Sequence, residues 1–163
     1  MLLRTRATPA VWGKDSLRAL VQRVSEASVS VAGNIIGVIG VGLCVFVGIK
    51  EDDTDADAAA LAGKVTKLRI FSDSEGKMNR SLSEVAGELL IVSQFTLYGD
   101  TRKGNRPSYS RAAKPELAQN LYETFTRDCK RLCPRVATGV FQANMEVRLI
   151  NDGPVTLMCY SGE

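Results

Sequence analysis

The chain of 163 residues contains no histidine. That absence excludes Ser-His-Asp and Cys-His catalysis, a histidine general base and histidine metal ligands from whatever chemistry the chain performs. Any hydrolysis must use a carboxylate, a lysine, backbone dipoles or a group on the substrate. Cysteine is sparse: Cys44, Cys129, Cys133 and Cys159, with no C-x-x-C pair. A four-cysteine zinc site is therefore not expected, and no metal or cofactor is called for. Without a secretory signal, such thiols are expected to be buried and reduced. Long hydrophobic runs are missing too. The longest, residues 38–49, is broken by glycines and too short to span a bilayer, so no membrane partner is expected. Charge of either sign is moderate, 21 Lys and Arg against 18 Asp and Glu, for a net +3. That balance does not suggest a DNA-coating protein.

What is present describes one globular domain. Hydrophobic residues make up 45% and charged residues 24%, ordinary values for such a domain. Residues 1–16 hold Arg4, Arg6 and Lys14 against Asp15, with no apolar signal core. They read as an extension, expected to be disordered, ahead of a single domain over 17–163. An organellar transit peptide is the alternative to a cytoplasmic location. Residues 17–24 and 27–31 read as strands, Gly33-Asn34 as a tight turn and 35–39 as the returning strand. Residues 43–49 and 88–97 are near-continuous apolar runs, as expected of strands buried on both faces. Ala58, Leu61, Val65 and Leu68 recur at helical spacing behind an acidic start. A second helix is expected from Pro115, with Leu117, Leu121, Phe125 and either Cys129 or Leu132 forming its stripe, and with Pro134 ending it. Asp152-Gly153 reads as a turn before a last strand over 155–160. The expected fold class is α+β: a curved, mostly antiparallel sheet or barrel with two main helices packed on it.

Three segments could carry chemistry. Ser93-Gln94-Phe95-Thr96-Leu97 closes an apolar strand. Its hydroxyls can simply satisfy local backbone groups, or its end can face a pocket where backbone N–H groups hold a developing oxyanion. Asn151-Asp152-Gly153-Pro154-Val155-Thr156 can be a hairpin turn. Yet Pro154 enters a strand directly after glycine, removes a ladder donor and raises the chance of a cis bond, which would aim two carbonyls the same way. The loop 101–114 carries Arg102, Lys103, Arg106, Arg111 and Lys114 and no acid. It is either a solvated loop or a phosphate-binding flank, with Tyr109 available for stacking.

Taken together these segments resemble the D-aminoacyl-tRNA deacylases, historically D-tyrosyl-tRNA deacylases. The resemblance rests on Leu20-Val21-Gln22-Arg23-Val24, Gly76-Lys77-Met78-Asn79, the 93–97 run, Asp100-Thr101-Arg102-Lys103-Gly104 and the 151–156 run. It extends from about residue 17 to residue 160. Tyr109 stands where the family is expected to have Phe. Gln142 and Asn144, within Gly139-Val140-Phe141-Gln142-Ala143-Asn144-Met145, replace a smaller residue and usually an acidic one.

The resemblance implies a homodimer with the active site across the interface. Ser93, Gln94, Phe95 and Thr96 would come from one subunit and the Gly153-Pro154 pair, with Asn151, from the other. It implies that Arg23 holds the Gly-Pro loop. It places the terminal adenosine of tRNA near Phe95 and the segment from Phe141 to Met145, with Arg102, Lys103 and Arg106 as further tRNA contacts. The implied activity is hydrolysis of the ester of D-aminoacyl-tRNA, and of glycyl-tRNA mischarged on tRNA-Ala. Backbone N–H groups near Gln94 and Phe95 and the substrate 2′-hydroxyl would serve the chemistry, and a Gly-cis-Pro filter would reject L-substrates. A non-catalytic module binding the tRNA 3′ end, or RNA in general, is the competing reading. A dimeric scaffold is a third, which leaves the Gly-Pro pair unexplained.

Overall fold

A computed structural model describes residues 16–162. The extension expected over 1–16 lies outside the described residues, apart from Ser16. Residues expected as two strands form one, β1 (Arg18–Val31). Its buried side chains are Ala19 and Val21, then Val24, then Ala27 and Val29. The parity changes where the pairing shifts register on either side of Val24. The following turn lies one residue earlier than Gly33-Asn34. Ala32 and Gly33 both have positive φ, 49° and 81°, the requirement of a tight two-residue hairpin. Asn34 already pairs with Val31 as the first residue of β2 (Asn34–Ile39).

The sheet has the order β2-β1-β3-β6-β7. Here β3 is Gly42–Gly48, β6 is Glu88–Ser93 and β7 is Val136–Thr138. The first half of β1 pairs with β3 and its second half with β2. The last strand, β8 (Met145–Tyr160), pairs antiparallel with the whole length of β1. Two pairings are parallel, β3 with β6 and β6 with β7, so the sheet is mixed. It curls nearly closed: a Cβ at Gly37 of β2 would lie 3.3 Å from the Thr138 carbonyl of β7. A separate small hairpin, β4 (Phe71–Ser72) and β5 (Met78–Arg80), surrounds the turn cluster expected at 72–76.

Two helices cover the outside of this sheet. Helix α1 (Asp55–Lys67) opens with a reciprocal capping box between Thr54 and Asp57, which satisfies two otherwise orphaned N–H groups. Helix α2 (Pro115–Leu132) has proline in its first turn. Cys129 is buried and Leu132 is 48% exposed, which settles the stripe in favour of Cys129. Strand alternation sends Leu43, Val45, Leu89 and Ile91 toward Leu61, Val65, Leu121 and Phe125 of the helices. It sends Cys44, Leu90 and Val92 inward to meet Val24, Val29 and Ile39. Each large side chain so buried contributes ~1.5–3 kcal/mol. All four cysteines are buried, and none of them forms a disulfide. Burial pushes the Cys44 and Cys129 thiols up to about 12, which keeps them protonated. Asp53 ties β1 to the end of β3: its carboxylate accepts from the Leu17 N–H at 2.8 Å and the Lys50 N–H at 2.6 Å.

The parallel pair β3–β6 leaves no room at Gly42, where a Cβ would lie inside the van der Waals radius of the Glu88 carbonyl oxygen. Gly42→Ala should cost ~2 kcal/mol or more, because backbone rather than a flexible side chain must move. Gly63→Ala, on α1 with nothing within 4 Å, should instead stabilise by ~0.5–1 kcal/mol. Urea unfolding of both variants checks the pair. Equal stabilities would contradict the close approach.

Candidate active site

Strands β3 and β6 end side by side, with Val47 opposite Ser93. The strand expected to run to residue 97 stops here. The Gln94 N–H donates to the Val47 carbonyl at 2.8 Å, and the chain then enters a short 3₁₀ turn, Phe95–Tyr98. Inside it Leu97 N–H donates to Gln94 O at 3.2 Å, and Gly99 N–H closes it onto Thr96 O at 2.9 Å. The Phe95 and Thr96 amides have no protein acceptor among the described residues. The amide of Gln94 is therefore committed to the sheet, and the next two are left without a protein partner among the described residues. The Thr96 hydroxyl accepts from the Gln94 side-chain amide.

A cavity of about 610 Å³ opens at this point. Ser93, Gln94 and Phe95 form one wall, and Phe141, Gln142, Asn144 and Met145 another. Phe95 stands 56% exposed at its mouth, an unusual exposure for a large apolar ring. Tyr109 meets it edge-on, with centroids 5.1 Å apart and planes at 70°. Phe141 packs 6.1 Å from the ring of Tyr122, whose hydroxyl donates to Ile91 O at 2.9 Å. The far wall turns at Val140–Ala143, closed by the Ala143 N–H to Val140 O, with Gln142 at φ 64°. No aspartate, glutamate, lysine or arginine among the described residues lines this cavity; Tyr109 is its one ionisable side chain. Among the described residues no cluster of metal-ligating side chains forms, and no helix is long and apolar enough to cross a membrane.

The turn is fastened from behind by residues that no sequence motif singles out. Arg18 lies 4.1 Å over the Tyr98 ring and 5.4 Å from that of Tyr160, and donates to Leu97 O at 3.4 Å. The buried Tyr98 hydroxyl donates to Ser16 O at 2.7 Å. Burial pushes that phenol up to about 12, so it remains a donor. The one signal in the sequence is an arginine amid the apolar residues that open β1.

The 151–156 segment is not the end of a hairpin. Gln22 pairs with Thr156 and Val24 with Asn151, so both flanks belong to β8 and the intervening residues bulge outward. The Gly153–Pro154 bond is cis, and both residues are exposed. Asn151 braces the bulge from within: its side-chain carbonyl accepts from Val155 N–H at 2.8 Å, and its amide reaches Gln22, Val155 O and Thr156. Arg23 braces it from the side, Nε donating to Asp152 O at 2.9 Å and Nη1 to Ile70 O at 2.7 Å. None of residues 151–154 lines the 610 Å³ cavity of the same chain.

The basic loop 101–114 has no helix or strand, although single bridges pin Asp100 to Ser108 and Ala112 to Lys50. Arg102 is engaged by Asp100, from Nε to both carboxylate oxygens at 2.9 and 3.0 Å and from Nη2 at 2.5 Å. That guanidinium holds the Asp100 carboxyl down at about 2. Lys103 and Arg106 are exposed and make no such pair among the described residues.

Comparison with known proteins identifies the family. The family model described as D-Tyr-tRNA(Tyr) deacylase matches residues 20–160. The D-aminoacyl-tRNA deacylase of Desulfotalea psychrophila is 56% identical over 142 residues, 87% of this chain and 95% of the relative. That of Chloroflexus aurantiacus is 55% identical over 147 residues, 90% and 92% of the two chains. Among solved structures, a c-Myc DNA unwinding element binding protein superposes with a TM-score of 0.83 at 39% identity, over 87% of this chain and 97% of that one. A probable eukaryotic D-amino acid tRNA deacylase shares the fold at a TM-score of 0.77 and 20% identity, over 88% and 98%. With the family model matched over residues 20–160 and relatives matched along nearly their whole length, the chain belongs to the D-aminoacyl-tRNA deacylase family.

Proposed function

We propose that the chain hydrolyses the ester of D-aminoacyl-tRNA, releasing the D-amino acid and free tRNA, and so proofreads chirality in translation. The observation that carries the reading is a cavity beside the Phe95 turn that no charged side chain lines among the described residues, with two amides of that turn left without a protein acceptor. The terminal adenosine would enter between Phe95 and the Phe141–Met145 wall, stacking on the exposed ring. The Phe95 and Thr96 N–H groups would polarise the ester carbonyl. One such donor is worth ~3 kcal/mol, and fixed orientation adds to it. With no protein base at hand, the neighbouring ribose 2′-hydroxyl would help activate water.

Selectivity would come from exclusion across a homodimer. The Gly153 and Pro154 carbonyls of one copy would occupy the space that an L side chain needs in the cavity of the other. Three features support this. The bulge is braced on two sides, it is exposed, and it lies outside its own cavity. Beside it, β8 pairs with β1 alone among the described residues and leaves Ile150, Leu157 and Met158 partly bare. A filter of that kind also admits glycine, so glycyl-tRNA mischarged on tRNA-Ala would be a substrate. Lys103 and Arg106 would meet tRNA phosphates, with Arg102 contributing less because Asp100 holds it. The intact runs Ser93–Thr96 and Asn151–Thr156, which a purely RNA-binding module would not need, argue against that competing reading.

Three outcomes test the proposal. Thr96→Ala should keep kcat for D-tyrosyl-tRNA within about tenfold, since its hydroxyl serves only as an acceptor for Gln94; total loss in a folded variant would indicate a threonine nucleophile. The pH profile of kcat/KM should show no inflection from a protein group between about pH 6 and 8. A bell in that range would require a base that the cavity lacks. Arg23→Ala should loosen the bulge and raise the ratio of L- to D-tyrosyl-tRNA hydrolysis by about tenfold, the loss of two hydrogen bonds from a charged donor. An unchanged ratio with an intact fold would remove the bulge from the filter.

A further inference from the structure

We infer that the open groove between α2 and β7 binds the phosphodiester backbone of the tRNA acceptor arm. This deepens, and rests on, the deacylase reading above. The groove has a volume of about 520 Å³ and is lined by Arg127, Lys130 and Arg131 with Tyr122, Thr126 and Thr138. Glu123 is its one carboxylate, so the lining carries three cations against one anion.

Position makes this patch more than a solvated helix face. Helix α2 presents Ala118 to the catalytic cavity and, one turn on, Tyr122 to the groove. The Tyr122 ring stands 6.1 Å from Phe141 of the cavity wall. Cavity and groove are thus consecutive stretches of one path along α2, divided by that aromatic pair. Lys130 lies ~18 Å further along the axis than Ala118, at ~1.5 Å per residue. A strand whose terminal adenosine fills the cavity has to leave across the surface, and this path meets it with cations of the right sign.

The cations are available to a ligand. Asp128 sits outside the groove and is shared by two guanidinium groups, with Arg127 Nε at 3.4 Å and Arg131 Nη1 at 3.5 Å. One carboxylate thus serves two arginines whose side chains remain 58% and 71% exposed. Lys130 is exposed and makes no ion pair among the described residues. Cations in a final helical turn complement the helix dipole. That effect calls for positive charge near the C-terminus without regard to side, and here the charge flanks the groove. The recognition is of backbone charge and not of bases, so any tRNA that presents its acceptor arm would be held.

The test combines Arg127→Gln, Lys130→Gln and Arg131→Gln in the full chain. Three substrates or ligands are used: D-tyrosyl-tRNA, the short 3′-D-tyrosyl ester of adenosine, which has no phosphodiester, and uncharged tRNA. For D-tyrosyl-tRNA we expect KM to rise about tenfold at unchanged kcat. For uncharged tRNA, the slope of log K against log salt should fall by about two units, at ~0.7–0.9 for each phosphate no longer neutralised. Hydrolysis of the short ester, which is too small to reach the groove, should not change. Lys130→Gln alone, at an exposed unpaired position that cannot disturb folding, should raise KM for the tRNA about threefold. Unchanged tRNA binding and salt slope would overturn the inference, as would an equal loss on the short ester, which would mean that the cavity itself had been damaged. If wild-type protein hydrolyses neither ester, the deacylase reading falls, while the uncharged tRNA arm still decides whether the groove holds RNA.

Discussion

The site depends on one hydrogen bond at the end of a parallel strand pair, from the Gln94 N–H to the Val47 carbonyl. Up to that bond, β6 is held in the sheet by β3, and both faces of the pair are buried. Beyond it no partner strand continues, and the chain turns out into the 3₁₀ segment that exposes Phe95 and frees two amides. Arg18, wedged between Tyr98 and Tyr160, holds that segment against the sheet. A cation over an aromatic face is worth ~0.5–2 kcal/mol depending on its desolvation. The same β1 that carries Arg18 also carries Arg23, five residues on, which braces the Gly153-Pro154 bulge. One strand therefore positions both halves of the proposed site, and its burial on the core side makes their placement rigid.

A cavity without a charged side chain has to obtain its chemistry elsewhere. Fixed backbone dipoles act where they point and need no reorganisation during reaction, and a mostly apolar wall strengthens them by excluding water. The ester substrate carries its own hydroxyl beside the scissile bond. In the mechanism we propose, the protein would orient, polarise and exclude, and the substrate would supply the group that a histidine would supply in another hydrolase. Loss of one side chain should therefore seldom abolish turnover, since the donors are main-chain atoms.

Much of the fold and the site is legible in the sequence. The two helices, the buried strands and the basic loop follow from spacing and composition, and the 93–97 and 151–156 runs stand out as places where ordinary strand grammar breaks. What the sequence hides shares one cause, a partner outside the local pattern. Phe95, Thr96 and Leu97 are good strand formers, so nothing local ends β6 at Ser93; the end is set by Val47 and Arg18. Asp152-Gly153 does mark a departure from the strand. Only pairing with β1 shows that the chain resumes the same strand instead of reversing. β7 is three residues long, too short for periodicity to reveal. Arg102 reads as a free cation because its partner, Asp100, lies just before the loop. The role of Arg18 is not legible, because cation–aromatic packing leaves no pattern in sequence.

In the proposed mechanism the substrate, and not a side chain, would provide the hydroxyl that assists hydrolysis. This claim is tested most directly by comparing D-tyrosyl-tRNA ending in adenosine with the same ester on tRNA ending in 2′-deoxyadenosine, under single-turnover conditions with binding measured separately. The deoxy substrate is expected to bind comparably and to be hydrolysed at least about a hundredfold more slowly, the scale of a lost acid–base contribution. Equal single-turnover rates for the two substrates would contradict the claim and would require a catalytic group within the protein.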